Sequence, residues 1–128
     1  MRYTLLLYYP EPTAEELGPE AIADGMRAFQ AYAKALEDAG VLVSAEVLQP
    51  SNVTTTVSLT GGELVVHEGP FADSTEQLGG TFVIEVADLD GALGWARQAP
   101  SASWGHVEIR PTATRWVDGS WLGTPPVG

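Results

Sequence analysis

The chain contains no cysteine, which removes disulfides, thiolate nucleophiles and Cys-ligated zinc or iron–sulfur centres from consideration. Positive charge is scarce as well: six Lys and Arg stand against seventeen Asp and Glu in 128 residues, a formal charge of −11. Such an excess repels phosphate backbones and anionic membranes. Neither nucleic acid nor a membrane is therefore an expected partner, and an anionic ligand would need a local basic pocket rather than the global field. No apolar run approaches the ~20 residues of a membrane span, and the N-terminal Met-Arg-Tyr-Thr-Leu-Leu-Leu is too short for a signal peptide and has no cleavage segment after it. A cytoplasmic location is expected. Repeats, low-complexity tracts and linkers are missing too, and the length suits one domain whose core closes without staples.

What is present alternates between strand and helix signals. Residues 3–9 are rich in Leu and Tyr and stop at Pro10 and Pro12, a strand leaving into a loop. Pro19 suits a first helical turn, and Ile22, Met26, Phe29, Ala33 and Leu36 recur at three- and four-residue steps down to Gly40, one apolar stripe with a left-handed stop. Residues 41–48 form a second strand. Residues 53–59 and 63–67, joined by Gly61-Gly62, predict a hairpin. Thr81–Val86 is a further strand, Asp88 caps a short helix carrying Leu89, Ala92, Leu93 and Ala96, and Trp104–Arg110 is a final core strand stopped by Pro111. The tail adds a candidate hairpin around Asp118-Gly119, with Trp116 and Trp121 expected to cover a core edge or a neighbouring subunit.

This order predicts an α+β fold, a ferredoxin-like βαββαβ unit with an inserted β-hairpin, over residues 1–112, followed by a tail at 113–128. Both helices on one side of a four-stranded sheet leave an apolar face uncovered, and a second copy is the simplest cover. Two sheets meeting about a two-fold axis give a homodimer, a dimeric α+β barrel with pockets under its overhanging loops.

The stretch from His67 to Gly80, with a histidine, several acids, a Gly-Pro-Phe corner and a glycine pair, is the natural overhang. Together with Gly40–Pro50, Glu68-Gly-Pro-Phe71, Glu76-Gln-Leu-Gly-Gly80, Glu85–Ala92, Ala99-Pro100 and Val107–Pro111, it makes the chain resemble the YCII-related proteins of the DGPF branch over about residues 1–112. The resemblance implies a dimeric α+β barrel. It implies little about activity, since most members have no assigned reaction. A distant branch carries out a dehydrochlorination, and related barrels isomerise or oxidise small aromatic compounds. Two departures stand out. The branch's signature aspartate is Glu68 here, and the histidine–aspartate pair that the wider superfamily places on its first helix has Phe29 at the histidine position, with only Asp38 remaining.

Acid–base chemistry would then fall to other residues, and Glu46, Glu68, His106 and Glu108 are the catalytic candidates. Glu46 lies among apolar strand residues and by alternation shares a face with Leu42, Ser44 and Leu48, where desolvation would raise a carboxyl pKa. Glu108 shares a face with His106 and Arg110, an ion-pair partner. Glu68 either accepts backbone amides at the corner or acts chemically. His67, Gly69, Pro70, Phe71 and Glu76 are the substrate-binding candidates. Against this, the favoured readings are His67 as a surface or satisfied structural histidine, Phe71 as a core anchor and Glu76 as a solvated loop acid.

Glu46, His67, Glu68, His106 and Glu108 are metal-ligand types, yet no ligand spacing joins them and no metal is expected. Gly61-Gly62 and Gly79-Gly80 open no helix and carry no P-loop lysine, and neither a dinucleotide fingerprint nor a nucleophile elbow is present. No cofactor is expected. The candidate function is a small-molecule site on a dimeric barrel, either a cofactor-free lyase or isomerase type of enzyme or a ligand-binding, regulatory dimer without turnover, with a structural partner of another protein as the third reading.

Overall fold

The computed structural model describes residues 1–72 and 74–123, so Asp73 and the last five residues of the tail lie outside the described region. The described elements run β1 (Arg2–Tyr9), α1 (Ala14–Leu17), α2 (Pro19–Asp38), β2 (Leu42–Val47), β3 (Thr55–Thr60), β4 (Glu63–Glu68), β5 (Gln77–Glu85), α3 (Leu89–Ala96), β6 (His106–Pro111), β7 (Thr114–Val117) and β8 (Ser120–Gly123). Four strands form one antiparallel sheet in the order β2-β5-β1-β6, the connectivity of a ferredoxin-like α+β unit. Two separate two-stranded sheets, β3-β4 and β7-β8, branch from it.

One face of the sheet makes the core. Tyr3, Leu5 and Leu7 of β1 alternate inward beside Phe82 and Ile84 of β5, and Tyr32 and Leu36 of α2 and Ala92 and Ala96 of α3 close over them. The α2 stripe is rotated from the expected one: Met26 is 70% exposed, while Tyr32 is buried, because the helix turns the 25-29-32-36 row toward the sheet. Gly25 in that row faces the Trp104 ring, with space for a side chain only at the limit of contact, 4.0 Å. Trp104 itself is not a strand residue. It follows a 3-10 turn at Pro100–Ser103 and joins Tyr9 and Phe29 in an aromatic cluster with centroid separations of 5.9–6.3 Å.

The glycine pair also reads differently once folded. β5 begins at Gln77, four residues before the sequence suggested, and carries Gly79 and Gly80 inside it. A Cβ on Gly79 would stand 2.1 Å from the Tyr9 ring and one on Gly80 would stand 2.9 Å from the Glu46 carbonyl oxygen, so the pair is required by close packing and not by a turn. A bulge between Leu7 and Tyr8 accompanies it.

The hairpins close as their turn residues dictate. Gly61 and Gly62 both have positive φ (59° and 84°), as do Asp118 and Gly119 (49° and 86°), the paired left-handed conformation of tight two-residue turns. Besides the 3-10 turn at Pro100–Ser103, two short helical pieces were not read from the sequence. Thr13 and Glu16 form a capping box that starts α1, and Glu11 accepts a hydrogen bond from the Ser51 amide at 2.8 Å, fastening the 3-10 turn Ser51–Val53.

Candidate functional site

The sheet face away from the helices is where the sequence placed the chemistry. Cross-strand register puts Glu46, Thr81, Leu6 and Glu108 in one row, Ser44, Val83, Thr4 and Arg110 in the next, and Leu78, Tyr8 and His106 in a third. The expectation of an apolar face is thereby corrected. Leu6, Tyr8, Leu78 and Val83 are interleaved with hydroxyls and charges, an amphipathic surface suited to a wet pocket as well as to a contact.

Glu46 does point to this face, but not beside Leu42. The register slips between Leu42 and Ser44, a bulge that leaves Leu42 paired with Ile84 on the helix side. Glu46 is exposed. Glu46 and Glu108 lie on opposite edges of the sheet, three inter-strand steps or about 14 Å apart, too far to act on one atom within a single chain. Glu108 pairs with Arg110 at 3.5 Å on the exposed edge strand, a contact of little energetic weight.

His106 and Glu76 are the pair that the fold brings together. The His106 Nδ1 lies 2.7 Å from Glu76 Oε1, with 79% of the imidazole but only 28% of the Glu76 side chain exposed. Glu76 is thus not the solvated loop acid of the simpler reading. It reaches His106 because β5 starts at the next residue and fixes its direction. Ser74 hydroxyl to Glu76 carbonyl and Gln77 amide to Ser74 carbonyl (2.8 Å) hold the loop in place.

At the same Leu78 end of the sheet lies a cleft of about 440 Å³, lined by Pro50, Val53, Thr56, Pro70, Phe71 and Leu78 among others but not by His106 or Glu76, of the size that holds a small organic molecule. Gln77 also lines it, so its wall begins one residue after Glu76. Phe71 is 90% exposed, which corrects its reading as a core anchor; it stands at the cleft rim. The Gly-Pro corner is held by backbone, not by a carboxylate. The Gly69 amide donates to the Thr54 carbonyl at 2.8 Å and the Thr56 hydroxyl donates to the Gly69 carbonyl at 2.7 Å, while Glu68 is exposed and accepts no amide hydrogen among the described residues. His67, paired across the hairpin with Thr56, and Glu68, opposite Thr55, are adjacent residues on opposite faces of β4 and do not form a dyad.

Tyr8, between Leu78 and His106 in the third row, belongs to the same end of the sheet and was not singled out from sequence; the alternation Arg2, Thr4, Leu6, Tyr8 is the signal that carries it. Tyr9 faces the other way, and burial, reinforced by the charge of Glu11, pushes its phenol pKa upward, so it stays a neutral packing group. Among the described residues no three His, Asp or Glu side chains converge as a metal site, and no helix is long and apolar enough to cross a membrane.

A family model described as "YCII-related domain" matches residues 1–116. An uncharacterized protein of Rhizobium meliloti (strain 1021) is 36% identical over 115 residues, covering 88% of this chain and 93% of that protein.

Proposed function

We propose, from the premise that the chain belongs to the YCII-related domain family, that two copies close their open sheet faces into a dimeric α+β barrel and bind a small organic molecule in the hollow between them. Within the family we assign the chain to the DGPF branch on Glu68-Gly69-Pro70-Phe71, with β3-β4 as a hairpin inserted into the βαββαβ unit and the residues after 112 as a tail on it.

The contact between His106 Nδ1 and Glu76 Oε1, 2.7 Å apart at the end of the sheet whose Leu78 lines the cleft, carries this reading. A carboxylate that holds one imidazole nitrogen fixes the ring's orientation and leaves the other nitrogen free to take or give a proton. A cofactor-free isomerase needs a proton removed at one carbon and returned at another. A lyase needs the proton removed while the bond from the adjacent carbon to a leaving group breaks and that group departs with the electron pair. The proposed roles follow from position. His106 moves the proton and Glu76 orients it. Glu108, two residues along β6, and Glu46, brought in across the dimer from the far edge of a sheet, position the substrate, while Pro70 and Phe71 wall the cleft. A second reading, a dimer that binds its ligand without turnover, is favoured by the exposure of His106 in a single chain, because proton-transfer groups gain most where water is kept out.

Light scattering at micromolar concentration is expected to give the mass of two chains. A thermal-shift screen of small aromatic and carboxylic metabolites is expected to yield a ligand whose affinity falls at least about tenfold in both His106→Gln and Glu76→Gln, the loss of one good polar contact. If turnover of that ligand disappears in His106→Gln while binding survives, the protein is an enzyme; binding without any turnover in the parent chain selects the second reading. A monomer, or affinity unmoved by both substitutions, overturns the proposal.

A further inference from the structure

The open sheet face has another end. Arg2 and Tyr8 are six residues apart on β1, about 20 Å at ~3.3 Å per residue, and at the Arg2 end a second cleft of about 200 Å³ lies between the sheet and the β7-β8 hairpin. Its lining includes Arg2, Glu85, Ala113, Arg115 and Leu122. The hairpin's alternation explains the arrangement. Arg115 and Leu122 are cross-strand partners that line the cleft, and the next pair, Trp116 and Trp121, falls on the opposite side and stacks edge to face at 5.4 Å.

Two of the six cations of a chain with charge −11 therefore converge on one small space. Glu85 supplies one negative charge there, 3.5 Å from Arg2, so two guanidiniums against one carboxylate leave a single positive charge unbalanced. The Arg2 Nε is shielded from water and ion-paired with Glu85 at 3.5 Å without a hydrogen bond among the described residues.

We infer that this cleft is a binding site for a small organic monocarboxylate, held by Arg2 and Arg115. A guanidinium presents a planar fork that matches a carboxylate with two parallel hydrogen bonds. Leu122 and Ala113 offer an apolar wall to the organic part, which an inorganic anion would leave unused. Glu85 repels a second negative charge, so a monoanion is preferred over phosphate. The site is separate from the His106–Glu76 end and stands whether or not the proposal made for that end holds.

Titration calorimetry on the full chain with benzoate, acetate and inorganic phosphate tests this. Benzoate is expected to bind saturably with one site per chain, with acetate weaker and phosphate weaker by at least about tenfold. Arg115→Gln is expected to weaken benzoate at least about tenfold, and Arg115→Lys to recover only part of it, since an ammonium lacks the fork. Arg115 is exposed, so these variants keep the fold; far-UV circular dichroism verifies it. Lys34→Gln, which removes an exposed cation of α2 that lines neither cleft, is expected to leave benzoate affinity unchanged. Absence of saturable binding, phosphate binding as tight as benzoate, or benzoate affinity unmoved by Arg115→Gln each overturns the inference.

Discussion

Single residues carry two sharply defined demands. The Tyr32 hydroxyl donates to the Trp95 carbonyl at 2.7 Å inside the core, and burial pushes its pKa up to about 12. Because the folded pKa lies above the unfolded value of 10.0, the unfolded chain loses this proton first as pH rises. Its contribution is complete below pH 10 and is lost between there and about pH 12. Tyr32→Phe is expected to cost about 0.5–1.5 kcal/mol at neutral pH, the value of one hydrogen bond, and to flatten the alkaline fall in urea-midpoint measurements; an unchanged alkaline slope would show that other groups govern it. Gly79 makes the opposite demand, for absence. Gly79→Ala forces a Cβ into the Tyr9 ring and is expected to cost about 1–3 kcal/mol, the range for overpacking. In chemical denaturation, adding Tyr9→Ala to it should cost less than the two single losses summed, because the clash is shared.

Elements start where a side chain supplies a missing acceptor or where a register slips. Asp88 Oδ1 accepts the Gly91 amide at 3.0 Å at the start of α3, whose Ala92 and Ala96 are buried. Asp88→Ala is expected to cost about 0.5–2 kcal/mol and Asp88→Asn to restore most of it, read as shifts in the thermal midpoint. The cap was legible in the sequence because an N-cap acts locally, on an amide three residues away. The capping box at Thr13 and Glu16 has the same local logic, but α1 is only four residues long and leaves no periodic signal. The slip between Leu42 and Ser44 was not legible: a bulge depends on the partner strand, and alternation read along 41–48 alone sends Leu42 to the wrong face.

For the whole molecule, charge and exposed apolar surface pull in opposite directions. The β3-β4 hairpin exposes Val57, Leu59, Leu64 and Val66 on one of its faces, and the Trp116–Trp121 pair is 60% and 65% exposed, not covering this chain's own core. Surfaces of this kind favour a partner, whereas two chains at −11 each repel. Added salt screens that repulsion, so sedimentation equilibrium is expected to give a tighter proposed dimer at 0.5 M than at 0.05 M sodium chloride. Leu64→Lys is expected to weaken association while leaving the monomer's urea midpoint within about 0.5 kcal/mol of the parent, as for an exposed substitution. A dimer that loosens with salt would place ion pairs, not apolar contact, at its centre.

The sequence by itself determined the existence of the strands if not all of their ends, the helices α2 and α3, the tight turns at Gly61-Gly62 and Asp118-Gly119 and the four-stranded α+β arrangement, because periodicity, caps and turn chemistry act over a few neighbouring residues. The tertiary structure alone decided that Glu76 meets His106 across thirty residues, that Glu46 and Glu108 stand apart, that Gly79 yields its space to Tyr9, and that Arg2 and Arg115 share a cleft. Those facts depend on which strands become neighbours and in what register, and such distances are set only when the core closes.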